Sequence, residues 1–153
     1  MTRLFCCSFI LFALVVAIAG CRSGELDVQS VTGTVTYNGS PLEGAIVTFV
    51  SAEDDSGYGA TAVTEMDGRY SLNTHGANRN GALVGTYNVT ISKTIAIDRN
   101  GKEYLDDSQP LGPSGRPDTK HLIPEKYSGM STTAILSANV KKGKNVFDFN
   151  LED

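Results

Sequence analysis

The sequence has few of the residues that catalytic and metal sites commonly use. Its 153 residues include three cysteines, two histidines and no tryptophan. Two histidines leave little material for acid–base catalysis, and without tryptophan the broadest aromatic surface for stacking is missing. Three cysteines leave open a zinc site, or a disulfide with one spare thiol. Basic residues number 13 against 17 acidic ones, and the resulting net charge of −4 argues against a nucleic-acid-binding protein.

The length and composition predict one globular domain. Hydrophobic residues make up 41% of the chain and charged residues 20%, which is typical of a globular protein rather than a polytopic membrane protein. With 16 glycines and 5 prolines, the chain is neither collagen-like nor of low complexity.

The first twenty residues have the pattern of a secretory signal. Arg3 is followed by 17 residues without charge, Leu4 to Gly20, which is the order of a positive region and an apolar region. The segment ends Ile18-Ala19-Gly20-Cys21, and this ending resembles the lipobox of bacterial lipoproteins. The resemblance implies cleavage before Cys21, lipidation of that residue, and a membrane-anchored domain on the non-cytoplasmic side of the cell envelope. The alternative is an uncleaved anchor, although 17 apolar residues only reach the lower limit for a spanning helix.

Cleavage at this site would also explain the cysteines. Cys6 and Cys7 would be removed, and Cys21 would carry lipid, so the mature chain would contain no zinc-binding or disulfide-forming thiol. We therefore predict a signal peptide over 1–20, a lipidated tether over 21–30 and a folded domain over 31–153. Whether the anchor lies in the inner or the outer membrane stays open.

From residue 31 onward the apolar residues alternate with a period of two. Val31 to Tyr37 reads as a half-buried strand of β-branched residues, and Asn38-Gly39 is a strong hairpin signal. Similar runs predict further strands at 45–50, 60–64, 69–73, 85–92, 135–140 and 147–151. No window after position 21 shows a convincing helical stripe. The sequence thus predicts an all-β, antiparallel β-sandwich of about seven strands, transthyretin-like or Ig-like.

Four of these runs share a further pattern. They are residues 31–35 (VTGTV), 38–49 (NGSPLEGAIVTF), 64–72 (TEMDGRYSL) and 85–91 (GTYNVTI). The succession resembles the carboxypeptidase regulatory-like domain, a transthyretin-like β-sandwich, with Glu65 in place of the usual aspartate and Val84 in place of the usual proline. The whole chain also resembles small lipoproteins of planctomycete type. This resemblance implies an accessory or binding module in which none of the signature residues is catalytic.

A long insert separates two of the predicted strands. Residues 94–130 greatly exceed the usual length of a loop. Ile95 and Ile97 are expected to prolong the preceding strand, and a helical turn is predicted to begin at Pro124. The insert either binds a ligand or docks on the sandwich, and we expect docking through Ile123 and Tyr127.

The candidate catalytic and metal-binding residues do not combine into a recognisable site. His75 and His121 fall in separate predicted loops, away from any cysteine partner. Asp54-Asp55 and Asp106-Asp107 lack the spacing of a calcium-binding loop, and Gly57 to Ala62 fits a dinucleotide pattern without its strand and helix. We therefore expect no enzyme activity, no metal and no cofactor.

Two functions remain as hypotheses. The first is a membrane-tethered, non-catalytic binding or structural module whose exposed loops contact an envelope protein or polymer. The second is a carbohydrate-binding sandwich of the starch-binding type, in which Tyr58, Tyr104 and Tyr127 would have to supply the aromatic surface. Neither hypothesis involves nucleic acid.

Overall fold

The computed structural model describes residues 26–52, 59–75, 79–106, 108–129 and 136–153. The predicted signal peptide, Cys21 and the loop residues Asp54, Asp55, Tyr58 and Asp107 lie outside the described residues. Within the described part of the chain, no helix is long and apolar enough to cross a membrane.

The described chain is built almost wholly from short strands. In chain order they are β1 (Val28–Gln29), β2 (Val31–Tyr37), β3 (Ser40–Pro41), β4 (Ile46–Ser51), β5 (Ala60–Val63), β6 (Arg69–Ser71), β7 (Asn73–Thr74), β8 (Arg79–Asn80), β9 (Ala82–Leu83), β10 (Gly85–Ser92), β11 (Thr94–Ile97), β12 (Asp118–His121), β13 (Leu136–Val140), β14 (Asn145–Val146) and β15 (Phe149–Leu151). One 3₁₀ turn, Glu125–Tyr127, follows Pro124 as expected.

Two sheets face each other across one apolar core. The larger sheet has the order β13-β10-β4-β5-β7-β8, and the smaller one is arranged around β2, which pairs with β3, β6, β14 and β15. The rings of Phe49 and Phe149, one from each sheet, have centroids 6.4 Å apart. Val35, Val47, Phe49 and Ile91 are completely buried. The predicted all-β sandwich and the predicted inward faces of its main strands are confirmed.

The sequence predicts an antiparallel sandwich, but the smaller sheet is mixed. β14 and β15 both run parallel to β2, with Asn145 opposite Val31 and Phe149 opposite Val35. A parallel pair needs a long connection between its strands, and here nearly the whole domain lies between β2 and the C-terminal strands. Alternation alone cannot reveal that arrangement.

The stretch predicted as one strand at 69–73 belongs to both sheets. β6 pairs with β2, whereas β7, two residues further on, pairs with β5. Leu72 lies between them and is 1% exposed, and its N–H donates to the carbonyl of Val31 at 3.0 Å. The chain therefore changes sheets at a residue that is held in the core.

The predicted tether over 21–30 is too long at its C-terminal side. β1 pairs antiparallel with β9, with Val28 opposite Leu83 and Gln29 opposite Ala82. Gly81 allows this approach, because a Cβ at that position would lie 1.9 Å from the carbonyl oxygen of Gln29. A two-residue strand has no measurable period, so the sequence pattern gave no signal for it. The folded domain begins before residue 30.

Candidate functional site

The start of the described chain and the insert lie at opposite ends of the sandwich. β10 starts at Gly85 opposite Val140 and finishes at Ser92 opposite Ile46. We call the end with Gly85 and Val140 the proximal end, because β1 and the start of the described chain lie there. The opposite end, at Ser92, is the distal end, and the insert leaves the sandwich from it.

The base of the insert is closed by a main-chain hydrogen bond. The N–H of Leu122 donates to the carbonyl of Lys93 at 2.8 Å, so the chain returns to the point where it left. We call residues 93–122 the arm. Within the described strands, β11 and β12 pair with each other and with no strand of the sandwich. The expectation that Ile95 and Ile97 prolong the preceding strand is therefore wrong, because β11 forms its own ribbon.

The residues just after the arm fix it to the core, as predicted. Ile123 is 4% exposed and Tyr127 is 9% exposed. The Tyr127 hydroxyl donates to the carbonyl of Glu152 at 3.1 Å and lies 3.2 Å from the Glu152 N–H, which donates to it. The 3₁₀ turn is thereby held against the C-terminal segment, and the arm starts from a fixed base.

The arm itself is ordered by hydrogen bonds rather than by an apolar core. Asp98 is 4% exposed, and its Oδ1 accepts the N–H groups of Asn100 and Lys102 at 2.8 and 2.9 Å. Arg99 donates from Nε to the carbonyl of Leu111 at 3.1 Å. Buried polar groups are tolerated when they are paired in this way. Asp98 is the first residue of a turn that ends at Gly101, whose N–H donates to the Asp98 carbonyl at 3.0 Å, and an aspartate at the start of a turn is a usual signal for this geometry.

The far part of the arm presents one strongly exposed apolar side chain. Leu105 is 77% exposed, while Tyr104 next to it is half-buried and its N–H donates to the carbonyl of Ala96 at 2.8 Å. Gln109 fixes this part of the chain by donating to the carbonyl of Glu103 at 2.8 Å. Leu105 is therefore an apolar side chain that is held in solvent by a hydrogen-bonded support.

The candidate metal-binding and acid–base residues are spread over the molecule. His75 is exposed and lies 2.7 Å from the Thr61 hydroxyl through its Nε2. His121 is half-buried at the end of β12 rather than in a loop, which corrects the prediction, and its Nε2 is 3.7 Å from Glu125 Oε1. Asp106 accepts hydrogen bonds from the hydroxyl and the N–H of Ser108, and these lower its pKa. No group of three metal-ligating side chains occurs in the described ranges.

The three tyrosines of the carbohydrate hypothesis do not form one described surface. Tyr127 is buried and bonded to the C-terminal segment, so its ring offers no stacking face to solvent. Lys126 Nζ also lies 5.1 Å from the centroid of this ring. Tyr104 is half-buried on the arm, and Tyr58 lies outside the described residues.

A shallow groove of about 410 Å³ opens beside β2 and β6. Its floor is Gly33 and Tyr70, and its rim carries Arg69 and Asp148. The Tyr70 hydroxyl donates to the carbonyl of Phe147 at 2.7 Å, and Asp148 Oδ1 accepts the N–H of Thr34 at 2.8 Å. Burial, with a smaller contribution from the charge of Asp148, raises the pKa of Tyr70. These polar groups are bonded within the sandwich.

The outer face of the larger sheet is uncharged over the edge strand β13 and its two neighbours, β10 and β4. Within these described strands the outward positions are Ile46, Thr48, Val50, Thr86, Asn88, Thr90, Ser92, Ser137 and Asn139. Such a surface combines hydroxyl and amide groups with two exposed aliphatic side chains, Ile46 at 48% and Val50 at 50%. We call it the neutral face.

Part of the chain is similar to a family of known sequences. Residues 31–106 match the profile of a family described as a domain of unknown function (DUF6795). The match begins at β2 and runs to Asp106 in the arm, which is just under half of the chain. No curated protein matches the chain.

One solved structure resembles the chain weakly. It is the crystal structure of a DUF3823 family protein from Parabacteroides merdae, with a TM-score of 0.40 and 11% sequence identity. The likeness covers 83% of this chain and 47% of that one, so the chain spans about half the length of that protein.

Proposed function

We propose that the protein is a lipid-anchored protein of the bacterial cell envelope and acts as a non-catalytic binding module. The lipobox-like ending at Cys21 supports the anchor and the non-cytoplasmic location. The similarity of the four sequence runs to the carboxypeptidase regulatory-like domain supports an accessory role. The turn at Asn38-Gly39, with φ of 48° and 78°, agrees with that similarity, because this backbone needs the residues found there.

The arm is the observation that carries the binding role. It leaves the sandwich at the distal end, while the first described residues and therefore the route to Cys21 lie at the proximal end. Its base is fixed by Ile123 and Tyr127, and its far part exposes Leu105. An anchored protein that holds an ordered arm away from its anchor is arranged to meet a partner beyond the lipid surface. We propose an envelope protein as that partner.

The closed base of the arm allows a clean deletion. Replacing residues 94–121 by Asn-Gly would join Lys93 and Leu122 through a two-residue turn, since their main-chain groups already bond at 2.8 Å. This variant keeps Ile123 and Tyr127 in the core. The measurement is chemical cross-linking in intact cell envelopes, where we expect the full chain to be linked to its partner protein. We expect the arm-deleted variant to remain folded and membrane-bound but to lose this cross-link.

Leu105→Asp provides the point variant, and Leu105→Met its matched control. We expect the aspartate variant to lose the same cross-link and the methionine variant to keep it, with equal melting temperatures for both. An unchanged cross-linking pattern in the arm-deleted chain would overturn the binding role. For the anchor, Cys21→Ala should release the protein from the membrane fraction, and its retention with an uncut N-terminus would show an uncleaved anchor instead.

The neutral face favours a second candidate, binding of a neutral envelope polysaccharide. Hydroxyl and amide side chains such as Thr48 and Asn88 can bond sugar hydroxyls without the cost of desolvating a charge. In affinity electrophoresis with neutral polysaccharide, Thr48→Glu with Asn88→Lys should abolish retardation while Leu105→Asp leaves it unchanged. The opposite dependence identifies the arm as the binding surface.

A further inference from the structure

The proximal end carries a basic turn on a chain that is acidic overall. Lys141, Lys142 and Lys144 lie between β13 and β14 and are all exposed. The side chain of Asn145 holds the turn by donating to the carbonyls of Lys141 and Gly143 at 2.8 and 3.0 Å, and by accepting the Lys141 N–H at 2.9 Å. The three ammonium groups therefore extend from a fixed piece of main chain.

This turn is bonded directly to the start of the described chain. The Gly143 N–H donates to Gln29 Oε1 at 2.7 Å, and the Asn145 N–H donates to the carbonyl of Ser30 at 3.0 Å. Lys142 Nζ also lies 3.9 Å from Asp27 Oδ2, with both side chains mostly exposed. The basic turn is thus next to the point at which the chain from Cys21 reaches the domain.

The other described charges beside the turn leave a basic surplus. Arg79 donates from Nη1 to the carbonyl of Leu26 at 3.1 Å, which places a fourth cation beside the same segment. Among the described residues of this end, Asp27 is a carboxylate that lies near Lys142 and lines the same surface depression as Arg79. Among the described residues, this end is therefore basic on the β13 side.

The length of the linking chain brings this surface close to the membrane. Leu26 is five positions after Cys21, and a fully extended chain of that length spans at most about 18 Å. A lysine near an anionic lipid surface gains about 1 kcal/mol, and this attraction extends over about one Debye length of ~8–10 Å. The anchor holds the turn near the bilayer, so the short range of the attraction is sufficient.

We propose that the turn Lys141–Lys144 contacts the anionic headgroups of the membrane that carries the anchor. This inference rests on the proposed lipid anchor at Cys21. The contact tilts the domain with its β13 side toward the lipid and directs the arm away from the bilayer. The lipid chains provide the attachment, and the basic turn provides the orientation.

The test uses the full lipidated chain in vesicles of phosphatidylcholine, with and without phosphatidylglycerol. Lysine acetylation rates are measured by mass spectrometry at each position. On anionic vesicles we expect acetylation of Lys141, Lys142 and Lys144 to slow by about fivefold relative to neutral vesicles, the factor that corresponds to 1 kcal/mol. Lys102 and Lys120 of the arm, both exposed, are the internal controls and should not change. About 1 M salt, which shortens the Debye length to about 3 Å, should remove the protection.

Matched charge variants test the orientation. Lys141→Gln, Lys142→Gln and Lys144→Gln together remove the basic turn, whereas Lys102→Gln, Arg116→Gln and Lys120→Gln together remove the same charge from the arm. With a fluorophore at Ser114→Cys and an acceptor dye in anionic vesicles, the first set should increase energy transfer and the second should not. If anionic lipid changes the acetylation rates of the turn lysines and of the arm lysines by the same factor, this inference alone is overturned. Failure of the chain to float with neutral vesicles overturns the anchor, and the inference with it.

Discussion

Gly33 and Tyr70 lie opposite each other in the pairing of β2 with β6, and the absence of a side chain at one makes room for the other. The Tyr70 hydroxyl reaches the carbonyl oxygen of Phe147 at 2.7 Å. A Cβ on Gly33 would lie 1.8 Å from that same oxygen and 2.9 Å from the Tyr70 ring. The glycine therefore determines how closely the C-terminal segment approaches β2.

Gly33→Ala should destabilise the domain by about 2–3 kcal/mol, because the added methyl group forces the Phe147 main chain away from β2. Gly39→Ala is the control, since Gly39 has a φ of 78° but nothing within 4 Å of its would-be Cβ. It should cost about 1 kcal/mol from backbone strain alone. Urea denaturation of both variants measures the difference. Equal midpoints for the two would contradict the close contact.

Tyr70→Phe should change the dependence of stability on alkaline pH. Burial raises the pKa of Tyr70 in the folded protein, so its neutral hydroxyl contributes stability that is complete below the unfolded value of about 10 and falls as pH rises above it. The variant should be less stable at neutral pH by about 1–2 kcal/mol, because the Phe147 carbonyl loses its donor.

Between about pH 9 and 11 the Tyr70→Phe variant should lose stability less steeply than the parent protein, because it has no hydroxyl at this position to ionise. Tyr87→Phe provides the comparison. Burial also raises the pKa of Tyr87, but its hydrogen bond to Leu83 opposes the shift, so its effect should be smaller. Urea midpoints measured across this range test the prediction, and parallel curves for Tyr70→Phe and the parent would refute it.

Thr64→Val should be costly although the shape of the side chain is kept. Thr64 is 3% exposed, its hydroxyl donates to the carbonyl of Leu42 at 2.5 Å, and it accepts the Ala45 N–H at 2.8 Å. The valine leaves two buried main-chain groups without this partner, and we expect a loss of about 2–3 kcal/mol. Thr48→Val on the neutral face should stay within about 0.5 kcal/mol of the parent. Thermal and urea unfolding both report the contrast, and similar values at the two sites would contradict it.

Ile123→Ala should loosen the base of the arm, whereas Leu122→Ala should not. Ile123 is 4% exposed and Leu122 is 37% exposed. Truncating the buried side chain should cost about 2–4 kcal/mol, and truncating its neighbour should cost less than about 1 kcal/mol. Hydrogen exchange of the Tyr127 N–H provides a local readout, and it should accelerate in the Ile123 variant alone. Unchanged exchange in that variant would show that the arm is held elsewhere.

The strands with regular alternation were predictable because one face of each is covered by the core. Val31 and Val35 in β2, Val47 and Phe49 in β4, and Tyr87, Val89 and Ile91 in β10 all point inward as their spacing indicates. The docking of Ile123 and Tyr127 was predictable for the same reason, since large apolar side chains in a polar insert need a place to be buried.

The remaining features depend on pairings that leave no pattern in the sequence. β1 has two residues, and it is held by main-chain bonds to β9 and by the approach that Gly81 permits. The change of sheet at Leu72 looks like one continuous strand, because both halves alternate in phase. The position of the basic turn Lys141–Lys144 beside Gln29 is likewise a property of the folded chain.

The parallel pairing of β2 with β15 has a consequence for how the protein is made. Val35 and Phe149 are opposite each other, so the residues between them must be synthesised before the first long strand gains this partner. Contacts between residues so far apart in sequence form slowly. Until the C-terminal segment is available, the smaller sheet is incomplete and its half of the core has no cover. A chain still in synthesis therefore cannot close this sandwich.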